Sequence, residues 1–350
     1  MRLKIAVFLM AKYSGLFALA RWYTAKQVRI LCYHGGCLGD EKQYNPKLFS
    51  TRDFFQKRID WLMKEGFQVI SLTDAISGPE AGRKKLATVL TFDDGWYSTG
   101  SELLPVLTER KLPSTLYLCT QHFLEAWPVV NVSVRYLLWK AAGQVNVQGL
   151  GSDIDGKYDL GDATTRNLLA RKFVQHVSQR ATDRGTVCKA LEELASAIGL
   201  DPVSLGLASR RIDYMSDNEI KTAAANGCSI ELHGHVHQYP LGKPDAFRAD
   251  LKRCDEVIGA LGLPKPRHYC YPSGEFDDTA ASILADLGVV SATTCVAGLV
   301  KAVNAPRSFF LPRFLDGESI HPIEFEAELS GFSELMRLAL RRPSSNGYGR

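Results

Sequence analysis

Short apolar runs alternate with helix-like segments along most of the chain. The run 28–33 suits a buried strand, and the segment 50–65 carries apolar residues at helical spacing, with Ser50 placed to cap the helix and Gly66 to end it. Alternation of this kind is typical of an α/β fold. Seven runs predict strands: 28–33, 67–72, 86–92, 113–119, 229–233, 268–271 and 289–294.

Three regions depart from this alternation, one inside the chain and one at each end. Between about 121 and 207, glycine and aspartate cluster and helix-like segments replace the strands, so we expect a helical insertion rather than a second domain. Strand signals resume after it, which favours one distorted (β/α) barrel of about seven strands over 28–318. We further expect an N-terminal helix over 1–27 and a helical tail over 319–350.

Composition narrows the class of protein. Of 350 residues, 45% are hydrophobic and 23% are charged, and these values exclude a mainly disordered chain. The net charge of +4 is spread along the sequence, which argues against a dedicated nucleic-acid-binding protein. No pair among the eight cysteines has the spacing of a zinc knuckle or a redox dithiol, so we expect them to be reduced, as in a cytoplasmic protein.

The first 27 residues allow three interpretations. Residues 5–11 are apolar after a basic start, as in a short signal peptide, but Lys12 interrupts the run, and no stretch reaches the ~20 apolar residues of a membrane-spanning helix. On a helical wheel Lys12, whose stem can snorkel, shares a face with four apolar residues: Ile5, Leu9, Leu16 and Ala20. We favour a docked or membrane-surface helix over an uncleaved anchor or a signal peptide. We therefore expect a cytoplasmic location or the inner face of the membrane rather than secretion.

Three strand-like runs end in groups that bind metals or move protons. The first is 91–95, Thr-Phe-Asp-Asp-Gly, in which two adjacent carboxylates follow an apolar strand. Buried alone, Asp93 and Asp94 would repel each other, so they need a cation or water. Gly95 permits the sharp turn that lets both approach one cavity. The motif is also compatible with a solvated Asp-Asp-Gly turn.

The second run, 231–237, holds three of the eight histidines within five residues. Neutral imidazole is the commonest protein ligand of a borderline metal. If the strand ends near Gly234, His233 and His237 can face one ion across a turn. If the chain stays extended, all three histidines share a face, and His233 with His235 forms the His-x-His pair of a barrel amidohydrolase. A set of surface histidines is the third possibility.

The third run, 268–274, passes from a strand into a Pro-Ser-Gly turn. Backbone N–H groups in such a turn can stabilise a developing oxyanion. A fourth piece places His34 at the end of the first strand. Taken alone, each of these two signals is also compatible with a structural role, as a plain turn and a structural histidine.

Together these segments resemble the polysaccharide deacetylase family, the NodB-homology group of carbohydrate esterases, over roughly residues 30–312. Thr-Phe-Asp-Asp-Gly is the most specific motif of that family. The resemblance implies a NodB-type barrel, Asp93 as the catalytic base, and a divalent metal, zinc before others, bound by Asp94, His233 and His237. It also implies an acetylated oligo- or polysaccharide as the substrate.

The sequence departs from the family pattern at two of these motifs. Gly234 stands where the family usually has Ser or Thr, which we expect to loosen the turn, and His235 is not a standard ligand. The arginine that usually stands shortly before the Pro of the third motif, and orients the base, is not in its place. Arg267 or Arg313 could substitute for it.

The late Leu-x-His motif of the family reads Leu-Pro-Arg at 311–313. One subgroup resembles a circular permutation, with its acid histidine in an N-terminal Tyr-His motif, and Tyr33-His34 matches that placement. The resemblance therefore implies His34 as the general acid. This role requires the first strand to lie beside the last in a closed barrel, so that His34 and Arg313 are neighbours.

The implied function is metal-dependent hydrolytic deacetylation of an N-acetylated sugar. In this mechanism Asp93 takes a proton from the attacking water, and the backbone N–H of Ser273 and the metal hold the oxyanion. His34 then protonates the departing amine. The alternatives are a catalytically silent carbohydrate-binding relative, a His-x-His amidohydrolase and, less favoured, a non-haem iron oxygenase with two histidines and one carboxylate.

Overall fold

A curled parallel sheet forms the centre of the protein, with helices packed around it. The computed structural model describes residues 2–77, 85–206, 210–301 and 307–340. The strands are β1 (Arg29–Tyr33), β2 (Gly35–Gly36), β3 (Phe49–Ser50), β4 (Gln68–Val69), β5 (Ala87–Asp94), β6 (Ser114–Leu118), β7 (Gln144–Val147), β8 (Gly156–Asp159), β9 (Cys228–Leu232), β10 (His268–Cys270), β11 (Ser291–Thr293) and β12 (Phe314–Leu315). The helices are α1 (Arg2–Tyr13), α2 (Leu16–Tyr23), α3 (Glu41–Tyr44), α4 (Arg52–Lys64), α5 (Leu72–Ile76), α6 (Leu104–Thr108), α7 (Thr120–Glu125), α8 (Val130–Ala141), α9 (Ala163–Ser178), α10 (Arg184–Ala197), α11 (Asp217–Ala225), α12 (Pro244–Ala260), α13 (Ala280–Asp286), α14 (Pro322–Leu329) and α15 (Phe332–Ala339).

The main sheet has the strand order β11-β10-β9-β6-β5-β1-β12, every neighbouring pair is parallel, and β4 pairs with the start of β5. Its two edges approach each other through the segment that precedes β12. There the backbone N–H of Leu311 donates to the carbonyl of Ala292, and the N–H of Thr294 donates to the carbonyl of Leu311, both at 2.9 Å. The predicted distorted (β/α) barrel is confirmed.

Each of the seven predicted runs contains a strand of this sheet, but two local predictions are wrong. β4 stops at Val69 because Ser71 caps α5, its hydroxyl accepting the backbone N–H of Asp74 at 3.1 Å. The N-cap of α4 is Thr51 rather than Ser50, which pairs in β3 instead. The eighth strand, β12, is only two residues long and carries no readable pattern.

The region predicted as an insertion contains helices α7 to α10 and the antiparallel hairpin β7–β8. It is tied to the chain that follows it, because the backbone N–H of Val129 donates to the carbonyl of Ile212 at 2.8 Å. That following segment in turn contacts the loop after β5, where the N–H of Met215 donates to the carbonyl of Gly95 at 2.9 Å. The insertion therefore supports one side of the Asp-Asp-Gly turn.

The N-terminal region forms two helices rather than the single helix predicted. The chain breaks at Gly15, which has a φ of 83°, and α1 and α2 are bent by 76° relative to each other. The break removes the predicted shared face: Leu9 and Leu16 are exposed, whereas Phe17 and Ala20 are buried against α14 and α15. Within the described residues no single helix is long and apolar enough to cross a membrane. The bent pair α1 and α2 together has the length and apolar composition of a membrane span, and no other feature supports that reading.

The predicted C-terminal helical tail is present as α14 and α15. The end of that tail, residues 341–350, lies outside the described residues.

Candidate active site

The candidate residues lie at the carboxyl ends of neighbouring strands. β5 ends at Asp94, β1 is followed by His34, β9 is followed by His233, and β10 ends at Cys270. Because these strands are parallel and adjacent or nearly adjacent in one curled sheet, their carboxyl ends share one edge. The structure thus brings the first, second and fourth sequence motifs together, as predicted.

Asp94, His233 and His237 converge on one point. Oδ1 of Asp94 lies 3.4 Å from Nε2 of His233 and 3.0 Å from Nε2 of His237, and the three ligand atoms all lie within 4.8 Å of one another. This carboxylate oxygen is buried yet accepts no hydrogen bond of acceptable geometry within the described residues. An unsatisfied buried carboxylate oxygen facing two imidazole nitrogens is the arrangement expected of ligands around a cation.

The tautomer of His233 also suits a metal ligand. Its Nδ1 lies 2.9 Å from the carbonyl oxygen of Cys270, and because a carbonyl can only accept, Nδ1 must carry the proton. In a neutral imidazole the Nε2 atom then carries the free lone pair, and this atom faces Asp94. A backbone carbonyl that fixes the outer nitrogen in this way is the usual support of a metal-binding histidine. The three residues therefore fit a divalent metal.

The turn between the two histidines is held in place from α12. Gly234 has a φ of 77°, and a Cβ atom at this position would lie 2.9 Å from Oδ2 of Asp250. The carboxylate of Asp250 accepts the backbone N–H groups of His235 and Val236 at 2.8 and 3.0 Å. The loosening expected from glycine at this position is therefore not observed, since Asp250 occupies the space of the missing side chain and ties the turn.

His235 points away from the converging ligands. Its Nδ1 lies 3.0 Å from the hydroxyl of Thr120 at the start of α7, and the chain turns at Gly234 instead of continuing as a strand. His233 and His235 consequently do not share a face. The His-x-His amidohydrolase interpretation is not supported by this geometry.

Asp93 forms a fully buried ion pair with Arg313. Nη1 and Nη2 of Arg313 donate to Oδ1 and Oδ2 of Asp93 at 2.7 and 2.8 Å. Burial by itself would raise the pKa of Asp93, but the charge and hydrogen bonds of Arg313 outweigh it and hold this pKa well below its usual value. Of the two arginines offered by the sequence, Arg313 takes the orienting position, whereas Arg267 is exposed.

Two thiols complete the surroundings of this carboxylate, and the sequence motifs did not reveal them. Sγ of Cys32 and Sγ of Cys270 lie 3.4 and 3.6 Å from Oδ2 of Asp93, and Nη2 of Arg313 donates to Sγ of Cys270 at 3.0 Å. Cys32 stands two residues before His34 on β1, and Cys270 ends β10. Cys32 pairs with Thr91 of β5. Because side chains alternate along a strand, Thr91 and Asp93 lie on the same face, and Cys32 lies on that face too.

His34 lies on the open side of Asp93. Its Nε2 is 3.8 Å from Oδ2 of Asp93, and its backbone carbonyl accepts the hydroxyl of Thr99 at 2.7 Å. Burial lowers the pKa of His34 from its ordinary value, and the negative charges of Asp93 and Asp94 only partly oppose this shift. Its Nδ1 is buried and has no hydrogen-bond partner within the described residues, so no hydrogen bond at Nδ1 fixes the tautomer of this imidazole.

The third motif lies next to the histidine turn. A Cβ atom at Gly234 would lie 3.7 Å from the ring of Pro272, and Ser273 is exposed with a left-handed φ of 56°. The turn is thus close to the converging ligands. The oxyanion role of the Ser273 backbone N–H stays a prediction.

Trp96 supports Asp94, and no sequence motif revealed this role. Its indole Nε1 donates to Oδ2 of Asp94 at 2.8 Å, so one carboxylate oxygen is fixed while the other faces the histidines. The only signal in the sequence is its position two residues after Asp94, immediately after the glycine turn.

Comparisons with known proteins agree with this geometry. The model of the family described as "Polysaccharide deacetylase" matches residues 80–144 and 204–292. The interval between the two matched ranges contains most of the predicted insertion. No curated protein sequence matches the chain.

Several solved structures share the fold at low sequence identity. A Streptococcus pyogenes deacetylase, PplD, solved in complex with acetate, is 16% identical with a TM-score of 0.56, and the match covers 87% of this chain and 99% of that one. IcaB from Ammonifex degensii is 17% identical with a TM-score of 0.54, covering 87% and 97%. A de-N-acetylase from Aggregatibacter actinomycetemcomitans is 15% identical with a TM-score of 0.52, covering 86% and 99%.

The family match spans the Asp-Asp-Gly turn and the histidine turn, which are the two segments that supply the converging carboxylate and imidazoles. The chain therefore contains a polysaccharide deacetylase domain, interrupted by the predicted insertion, and is a hydrolase acting on carbon–nitrogen bonds other than peptide bonds.

Proposed function

We propose that the protein is a metal-dependent deacetylase that removes the acetyl group from an N-acetylated sugar unit of an oligo- or polysaccharide. The observation that carries this proposal is the arrangement of two adjacent carboxylates with different partners. Asp94 faces two histidines, whereas Asp93 is paired with Arg313 and lies beside His34. Such a division gives one carboxylate to a metal and leaves the other for proton transfer.

Asp94, His233 and His237 would hold the metal. Three protein ligands of nitrogen and oxygen suit zinc in a catalytic site, because the remaining position is open to water or substrate. A divalent ion bound there would lower the pKa of a bound water to ~7 and polarise the acetyl carbonyl. His237 is the most exposed of the three ligands, which places the open side of the site towards solvent.

Asp93 is proposed as the general base. Its low pKa keeps it ionised at neutral pH, and the two hydrogen bonds from Arg313 fix the orientation of the carboxylate. A base held in a fixed orientation can take a proton from an attacking water without reorganising. Arg313 acts through Asp93 and is therefore a positioning residue.

His34 is proposed as the general acid. Its Nε2 is close to Asp93 without a short hydrogen bond to it, so the imidazole can give its proton to a departing amine rather than keep it in an ion pair. Burial lowers its pKa, which makes the protonated form a stronger acid. The backbone N–H of Ser273 is proposed to donate to the developing oxyanion from the neighbouring turn.

Acetate release tests this function. The purified chain is incubated with N-acetylated oligosaccharides, and acetate is measured before and after chelation and again after zinc is added back. We expect release that chelation abolishes and zinc restores, and an Asp93→Asn variant that binds zinc but releases little acetate. Saccharide binding without acetate release would instead favour the catalytically silent relative.

A further inference from the structure

The N-terminal helices present an apolar and aromatic face to solvent. The side chains of Tyr13, Trp22 and Leu19 are 84%, 75% and 59% exposed, and those of Leu3, Met10 and Tyr23 are exposed beside them. Residues 3 to 23 hold nine of the 21 large hydrophobic residues that are exposed within the described parts of the chain. Scattered exposed hydrophobic residues are normal, whereas a concentration of this kind marks an interaction surface.

This face is fixed to the body of the protein by the opposite sides of both helices. The rings of Phe8 and Phe17 pack against Phe332 of α15 at centroid distances of 6.0 and 5.2 Å. Lys4 and Lys12 form ion pairs with Glu324 and Glu326 of α14 at 2.6 and 2.5 Å. Because the helices are anchored from within, the exposed residues keep fixed positions relative to the body of the protein.

The charge of the segment points to an anionic partner. Residues 2–27 contain five Lys and Arg residues and no Asp or Glu, and three of the five pair with glutamates of other segments: Lys4 with Glu324, Lys12 with Glu326 and Arg21 with Glu65. In the two ion pairs to α14 the lysines are 60% and 41% exposed, whereas both glutamates are only 17% exposed. The cationic ends thus lie on the solvent side of these pairs, at the border between α1 and α14.

We propose that this face docks on the surface of an anionic lipid bilayer. Twelve and eight residues make helices of about 18 and 12 Å, too short to span a hydrocarbon core of ~30 Å, and the 76° bend prevents them from acting as one rod. Exposed apolar and aromatic side chains on a helix that also carries solvent-exposed lysines, such as Lys4 and Lys12, are typical of helices that lie in the membrane interface. Lysine is depleted from protein–protein interfaces but Tyr, Trp and Met are enriched there, so a second copy of the chain is the alternative occupant that the experiment below distinguishes.

The docking face lies at the end of the barrel opposite the active site. Arg21 of α2 pairs with Glu65, which follows α4, at 2.9 Å, and the carbonyl of Ala25 accepts the N–H of Leu86, just before β5, at 2.7 Å. Both contacts are at the amino ends of the strands, whereas Asp93 and Asp94 stand at the carboxyl end of β5. A docked molecule therefore turns its active site away from the lipid. This orientation, which rests on the proposed function, leaves the site open to a polymer on the aqueous side.

Vesicle sedimentation of the full chain tests the docking. The probes are vesicles of phosphatidylcholine alone and of phosphatidylcholine mixed with phosphatidylglycerol. We expect binding to the mixed vesicles, and about 10–100-fold weaker partitioning for a Leu19→Gln/Trp22→Gln variant, because two exposed apolar side chains are lost from the lipid contact. The matched control is Leu168→Gln/Val203→Gln, which changes two exposed apolar residues far along the chain and should bind as the unchanged protein does.

Several outcomes would overturn the proposal. These are no binding of the unchanged protein to either vesicle, equal binding by the two double variants, or self-association that the Leu19→Gln/Trp22→Gln change abolishes, which would assign the face to a second copy. The sedimentation readout does not depend on catalysis, so it stands even if no acetate is released. If the chain is active, the vesicle pellet should retain full acetate release from soluble oligosaccharide, and loss of that activity would refute the orientation.

Discussion

Removing the charge of Arg313 should damage both the stability and the activity of the protein. The guanidinium is completely buried and gives two hydrogen bonds to Asp93. An Arg313→Gln variant leaves the carboxylate buried without a cationic partner, and burial then favours its protonated form, which cannot accept a proton from water. We therefore expect a less stable protein with a disabled base.

The structure sets the size of this effect. Removal of one partner from a buried, hydrogen-bonded ion pair costs about 3–5 kcal/mol. Unfolding entropy is about 2.1 cal/mol/K per residue, or about 0.7 kcal/mol/K for 350 residues, so the Tm should fall by about 4–7 °C. Loss of a positioned general base should lower the rate of acetate release by about 10²–10⁴-fold.

Thermal melting by circular dichroism and acetate release measure the two effects. Arg267→Gln is the matched control, because Arg267 is the other arginine proposed from the sequence, and its side chain is exposed. We expect it to change stability by less than about 0.5 kcal/mol. A double variant, Asp93→Asn/Arg313→Met, should recover part of the lost Tm and none of the activity, since it removes the unpaired charge. Full activity of Arg313→Gln, or a larger loss in Arg267→Gln, would refute the assignment of Arg313.

Four further measurements test other parts of the site and fold. His34→Ala should keep bound zinc but lower the turnover number by about 10²–10⁴-fold, and full activity would refute its role as the acid. His237→Ala should lose zinc in metal analysis, whereas His235→Ala should retain it; the reverse would exchange their assignments. Gly234→Ser should destabilise the protein by about 1–3 kcal/mol in melting experiments, because of its φ and the nearby Asp250. Burial lowers the pKa of His268 from 6.5 to about 4 in the folded protein, so as the pH falls the unfolded chain binds this proton before the folded protein does. The free energy of unfolding should therefore fall by about 3 kcal/mol between pH 7 and pH 4. In denaturant titrations, His268→Gln should make the free energy of unfolding depend less on pH over this range.

The parts of the site that the sequence could predict are those that end strands. Asp93, Asp94, His233 and His34 each follow an apolar run, and parallel strands bring such positions to one edge without further information. The motif of two adjacent carboxylates also predicts that they differ in function, because two buried like charges need different partners. Local pattern and strand direction were therefore sufficient to bring these four residues to one edge, whereas the choice of His237 over His235 came from the family resemblance.

The partners of those residues come from distant segments, so the sequence could offer Arg267 and Arg313 only as alternatives and did not indicate Asp250 at all. Arg313 meets Asp93 across 220 residues of chain, and Asp250 reaches the histidine turn from the middle of α12. Nothing near Gly234 in the sequence reveals that a carboxylate would fill the space of its missing side chain. The helical-wheel argument for the N-terminus failed for a related reason, since it assumed one continuous helix through Gly15.

The pairing of the first and last strands connects a residue that the local pattern predicts, His34, with a partner from a distant segment, Arg313. β1 pairs with β12 in parallel, with Leu31 opposite Phe314 and Cys32 opposite Leu315. This meets the condition that the sequence set for His34 to lie near the late segment. Arg313 immediately precedes β12 and His34 immediately follows β1, and both side chains reach Asp93, at 2.7 and 3.8 Å. Arg313 stands where the resemblance implies a late histidine, and an imidazole from the neighbouring strand lies near the same carboxylate. The His34→Ala measurement therefore decides whether the proton donor moved along the sequence while its place in the barrel stayed the same.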